Sequence, residues 1–184
     1  FYQESYASPA LADVDNDGRL DLFFTTVYGT ASFGRKNNPV LLRNSGACWF
    51  NDVTAVAGIS GIDSTYQAAF GDIDNDGDID ILIGTGAGKI VWYENTAGKN
   101  KPCVFKVKTN SLLNFENYSG EQTFAPEIYD YNKDNIKDLI IGMYNGKVAI
   151  FKGLGGIFPQ FVLVSKNAWG MRANLWREDI SPVG

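Results

Sequence analysis

The stretch GDIDNDGDIDILIGTG, Gly71 to Gly86, sets five aspartates within nine residues directly ahead of an apolar run. Carboxylates crowded beside a strand that must enter a core repel one another and need a counter-charge. Two other stretches repeat the arrangement. DVDNDGRLD holds Asp13, Asp15, Asp17 and Asp21, and DYNKDNIKD holds Asp130, Asp134 and Asp138. The three loops carry twelve of the 21 acidic residues, and the other nine face 16 Lys and Arg, so the formal charge of -5 originates in the loops. Three divalent cations would bring that charge to +1.

Aligned on their first aspartates, Asp13, Asp72 and Asp130, the loops recur at steps of 59 and 58 residues, a regularity that signals repeated architecture. Each loop follows a short apolar segment, ASPALA, YQAAFG or FAPEIY, with Pro9, Ala68 and Pro126 each four residues before the first aspartate. Each precedes a β-rich run: LDLFFTTV, IDILIGTG, KDLIIGMY. Hairpins follow. Asn145-Gly146 is a strong two-residue turn signal, Gly86-Ala87-Gly88 serves the second unit, and Tyr28–Pro39 makes a longer excursion in the first. A fourth strand closes each unit in CWFNDVT, CVFKVKT and QFVLVSK. Four short antiparallel strands per repeat, with almost no helical periodicity, predict an all-β fold of β-propeller blades.

The expected blades span 1–62, 63–119 and 120–179 of one propeller segment covering 1–184, and 180–184 begins a fourth repeat, since Ser181-Pro182 repeats Ser8-Pro9. Three blades do not close a propeller, so the expectation is part of a larger one of about seven blades. At 45% hydrophobic and 20% charged residues, the chain buries a substantial core. No apolar run reaches the roughly 18 residues of a membrane span, no signal-peptide core follows Phe1, and no Lys/Arg cluster suggests a nucleic-acid surface.

In the first two loops the pattern D-x-D-x-D-G-x-x-D converges alternating carboxylates on one hard cation, and glycine allows the sharp turn. Oxygen donors alone, in a chain with no histidine, select Ca²⁺ over zinc or copper. The expected side-chain ligands are Asp13, Asp15, Asp17 and Asp21, with the Arg19 carbonyl; then Asp72, Asp74, Asp76 and Asp80, with the Asp78 carbonyl and its side chain outward. The third set is Asp130, Asn132, Asp134 and Asp138, with Lys137 as the further ligand. Asn132 removes a charge there and Asn135 replaces glycine, so of up to three Ca²⁺ the third should bind weakest. An EF-hand fails because its twelfth position is Phe24, Ile83 or Ile141 and its flanks are strands. The bland alternative, a solvated acidic turn, leaves three loops in register unexplained.

These repeats resemble the FG-GAP or VCBS repeats of calcium-bearing β-propellers, the class found in integrin α-subunit heads and many secreted proteins. Leu41 to Ile59, LLRNSGACWFNDVTAVAGI, also resembles the ASPIC/UnbV and cartilage-acidic-protein branch. The resemblance implies an extracellular, secreted or cell-surface protein.

Other features read more plainly. GTGAGK lacks a phosphate loop's first glycine, at Ile83, and its Ser or Thr, at Ile90. Trp49, Trp92, Tyr93, Phe105 and Phe151 are expected in the inter-blade core, and Trp169 and Trp176 on the surface. Asn117-Tyr118-Ser119 fits a glycosylation sequon. Cys48 and Cys103 hold matching places in successive repeats, beyond the roughly 7 Å bridging limit in a radial fold, so buried free thiols stand beside a disulfide as the reading. The favoured function is a calcium-stabilised structural, adhesion or protein-interaction module without enzymatic activity. Its partners are other proteins or further repeats of the same chain. A lectin binding glycans is the alternative, and a polysaccharide lyase a third reading, disfavoured because no histidine base exists.

Overall fold

A computed structural model describes residues 6–26, 38–113, 124–143, 145–156 and 160–168. The described residues form three four-stranded antiparallel sheets, each built from consecutive strands in chain order. The first holds β1 (Tyr6–Ala12), β2 (Asp21–Thr26), β3 (Val40–Asn44) and β4 (Phe50–Asp52). The second holds β5 (Thr65–Gly71), β6 (Asp80–Thr85), β7 (Ile90–Asn95) and β8 (Phe105–Thr109). In the third lie β9 (Phe124–Tyr129), β10 (Asp138–Met143), β11 (Val148–Gly153) and β12 (Phe161–Ser165). The all-β reading and the four-stranded blades are therefore correct.

The hairpins follow the turn chemistry. Gly88 and Gly146 adopt φ of 70° and 75°, and Met143 N donates to the Lys147 carbonyl across the Asn-Gly turn at 3.0 Å. The blades abut through their first strands, β1 against β5 and β5 against β9. Two cores fill the seams. Phe23, Leu41, Ile81, Ile83, Tyr93 and Phe105 pack between the first and second blades. Leu82, Trp92, Phe124, Leu139, Ile141 and Phe151 pack between the second and third. Successive strand residues point to opposite faces, so β6 serves both cores and is buried along its whole length. The turn after β4 adds a backbone staple: Phe105 N donates to the Ala57 carbonyl at 2.8 Å.

Two expectations need correction. Trp49 is 75% exposed, because it ends a tight turn in which Ser45 N donates to its carbonyl, at the rim before the outermost strand. Cys103 is buried as expected, but Cys48 is exposed in the left-handed region of that same turn, and both are free thiols. Asn117, Trp169, Trp176 and residues 180–184 lie outside the described residues.

The seams are tight enough to test. A Cβ added to Gly84 would stand 1.7 Å from the Phe124 carbonyl oxygen, whereas at Gly142, the same place one repeat later, it meets Ala125 Cβ at 3.5 Å. Gly84→Ala should cost about 3 kcal/mol and Gly142→Ala less than about 1 kcal/mol in urea unfolding. Equal costs would show that the second seam is not packed this way.

Candidate metal centre

Each acidic loop joins the first strand of a blade to the second. Its last aspartate, Asp21, Asp80 or Asp138, opens the second strand and is 0–1% exposed. Both oxygens of each are engaged. Asp21 accepts from Val14 N at 3.1 Å and Asn44 N at 2.8 Å. Asp80 accepts from Ile73 N at 3.3 Å and Asn95 N at 2.8 Å. Asp138 accepts from Tyr131 N at 3.1 Å and Gly153 N at 2.9 Å. One carboxylate thus ties the loop's start to the end of the third strand in every blade.

The first aspartate closes the loop from the other side. Asp13 accepts from Asp17 N and Gly18 N at 2.9 and 2.8 Å, Asp72 from Gly77 N at 3.2 Å, and Asp130 from Asp134 N and Asn135 N at 3.1 and 2.8 Å. Those donors point inward because the turn is left-handed at two places. One is Gly18, Gly77 and Asn135, with φ of 85°, 94° and 66°; the other is Asn16, Asn75 and Lys133, with 56°, 61° and 62°. Asparagine tolerates that region better than most residues, which gives the repeated Asn of DVDND and DIDND a conformational role.

The residues between supply the open oxygens. Ligand atoms of Asp13, Asp15 and Asp21, and separately of Asp72, Asp74 and Asp76, lie within 4.8 Å of one another. Asp15 and Asp74 are 3% and 8% exposed, and one oxygen on each of Asp15, Asp72 and Asp74 is buried without a hydrogen-bond partner. Buried carboxylate oxygens without donors are costly, and a hard cation satisfies them. The first two loops therefore fit a divalent cation. Among the described residues, Asp130, Asp134 and Asp138 form no such carboxylate triad; Asn132 is exposed and turns its side-chain oxygen to Asp134 N at 2.9 Å.

Two expected placements differ. The Asp78 side chain does not point outward: it is 4% exposed and accepts from Gly98 N at 2.8 Å, anchoring the turn after β7. In the third loop the place of Arg19 and Asp78 falls to Ile136, not Lys137. Arg19, Asp78 and Ile136 each donate N–H to the aspartate two residues earlier, at 3.0, 2.9 and 3.0 Å. The Lys137 carbonyl is instead packed against Gly153, 2.0 Å from where a Cβ would stand.

Basic side chains also reach the loops. Arg43 Nε donates to Asp15 at 2.5 Å and its Nη2 lies 3.3 Å from Asp17, which Arg19 also pairs with; Lys152 Nζ lies 2.9 Å from Asp134. Arg43 and Lys152, one strand or more away in sequence, had no signal in the loop motif itself.

Blades of four antiparallel strands, with an acidic loop at the same turn, define a β-propeller-type repeat protein. The chain belongs to the family of the FG-GAP-like repeat, whose model matches residues 13–83 and again 72–141, most of the chain. No curated protein matches the chain.

Burial pushes the Asp80 carboxyl up from 3.8 to about 7, with the Asp74 charge adding to it against the backbone donors. Asp21 is raised by burial and by Asp15 and Asp17, and Asp74 by burial and then by Asp76, Glu94 and Asp72. A carboxyl raised on folding holds its proton more tightly in the folded chain. That contribution is complete below about pH 4 and is withdrawn as pH rises through about 7. Stripped of divalent cations, the chain should melt at a higher temperature near about pH 5 than near about pH 7.5. The reverse order would contradict the burial of Asp80.

Proposed function

We propose that this chain is a calcium-stabilised, extracellular β-propeller module that works through adhesion or protein interaction, without catalysis of its own. FG-GAP-like repeats and the all-β blades support an interaction or adhesion module. The observation that carries the calcium reading is the set of buried, unpartnered oxygens on Asp15, Asp72 and Asp74 within two oxygen-only clusters. Bound there, calcium supplies the counter-charge that keeps these carboxylates ionised inside the fold. The chain's residues do the rest: Asp13 and Asp72 hold the turn, and Asp21 and Asp80 transmit it to the third strand. Calcium outside cells is abundant enough to fill sites of modest affinity, which favours the extracellular setting. Trp169 and Trp176, the tryptophans expected to serve a lectin, lie outside the described residues.

Calcium should raise the melting midpoint by mass action, and chelation should lower it. Asp74→Ala should abolish binding at the second loop. Asp78→Ala should cost about 1–3 kcal/mol of stability by orphaning Gly98 N, while leaving calcium affinity nearly intact. A midpoint indifferent to chelator, or equal losses of affinity in the two variants, would refute this assignment.

A larger propeller of about seven blades is part of the same proposal. Ile81 and Ile83 face the first blade and are 0% exposed, but their counterparts Leu22 and Phe24 are only half-buried. Leu82 faces the third blade at 0%, while its counterpart Ile140 is half-buried. The outer faces of the flanking blades thus carry seam residues that another blade would cover. In calcium, the 184-residue chain should self-associate in light scattering. A monodisperse, cooperatively melting monomer would replace this reading with a compact three-repeat fold.

A further inference from the structure

In each blade the N–H that caps the last loop aspartate belongs to the final residue of the third strand: Asn44, Asn95 or Gly153. One residue earlier stand Arg43, Glu94 and Lys152. The three are equivalent by strand position and by the hydrogen bond beside them, yet they differ in charge. Arg43 engages Asp15 and Asp17, and Lys152 engages Asp134. Glu94 adds a further negative charge that Asp74 feels. The second loop has no ion pair to its own aspartates among the described residues.

We propose that this strand-end residue sets how readily each loop takes its cation. Arg43 and Lys152 are built-in competitors, and the second loop, with an acid in that place, fills first. The inference rests on the calcium reading and adds an order of filling to it. In the first loop a cation must share Asp15 with a guanidinium already on one of its oxygens, while the other oxygen stays open. Asp17 is further drawn off by Arg19. In the third loop Lys152 takes Asp134, where Asn132 has already removed one charge. Beside the second loop, Lys108 pairs with Glu94: its Nζ lies 2.8 Å from Glu94 and 5.7 Å from the centre of the Trp92 ring. Glu94 therefore puts an acid where the other two blades have a base, and holds Lys108 in an ion pair of its own.

A basic group near a cation site repels the ion and occupies its ligands, and the pair here is partly exposed, so screening limits the effect to about tenfold in affinity. Titration calorimetry of calcium into the chelator-treated chain reads it directly. Wild type should show one tighter site, lost in Asp74→Ala. Arg43→Gln should tighten binding at the first loop about tenfold in the Asp74→Ala background, and Glu94→Arg should weaken the tight site about tenfold. Lys152→Gln should tighten the third loop. If Arg43→Gln does not fold, as judged by circular dichroism, Glu94→Arg and Lys152→Gln decide the question in opposite directions. Calcium binding that is present but unmoved by these substitutions overturns the proposal alone. No calcium heat and no calcium-dependent melting shift in wild type overturns the metal reading beneath it.

Discussion

The two backbone N–H groups that converge on the last aspartate of each loop hold the blade together. Asp21, Asp80 and Asp138 each open a second strand, fix the start of the preceding loop and clamp the end of the third strand. Loop, second strand and third strand meet at one buried carboxylate. Two hydrogen bonds do not by themselves make that burial cheap: Asp80 is displaced to about 7 despite them. The charge must be balanced by a proton or by a cation, and the neighbouring Asp72, Asp74 and Asp76 lie close enough together to hold a cation. The crowding of acids next to a core strand follows from this, because the carboxylate that builds the blade is also the one most in need of the others' ligand.

Much of this was legible in the sequence because it depends on local chemistry at a fixed period. Alternating apolar residues, Asn145-Gly146 and the recurring D-x-D-x-D pattern report strand, turn and loop directly. The errors arose where a side chain's fate is set by something distant. Asp78 looks like an exposed loop residue until the turn after β7 brings Gly98 N against it. Lys137 sits beside the loop's ligand place, but the third loop keeps the register of the other two, so the place is Ile136 and the Lys137 carbonyl meets Gly153. Trp49 and Cys48 resemble core residues in composition, yet the tight turn between β3 and β4 carries them to the rim. Arg43 and Lys152 reach the acidic loops only through strand pairing.

Repetition in sequence does not make the blades equivalent in energy. The second blade contributes Ile81, Leu82 and Ile83 to two cores at once, and full burial of such side chains stabilises by about 1.5–3 kcal/mol each. The first and third blades use one face in this way, leaving Leu22, Phe24 and Ile140 half-buried. Gly84 is where that difference is sharpest, since its missing Cβ lets the Phe124 backbone approach and no such neighbour stands over Gly142.

The metal loops and the seams are not separate devices. Val14 donates its N–H to Asp21 at 3.1 Å, and its carbonyl accepts from Asn95 Nδ2 at 3.2 Å; Asn95 in turn donates its own N–H to Asp80 at 2.8 Å. The backbone of Val14 and one asparagine therefore connect the key carboxylate of the first loop to that of the second, across the seam between blades. Asn16 Nδ2, 3.5 Å from the Gly77 carbonyl, adds a weaker second link between the same loops. Gly153 replaces Asn95 in the third blade and has no side chain to make the equivalent bond back to the second loop. Asp80 and Asp21 are thus linked by a continuous chain of hydrogen bonds, while beside the third loop Ile73 and Ile128 share an apolar core. The same asparagine that caps the blade's own carboxylate makes the first two repeats one polar unit.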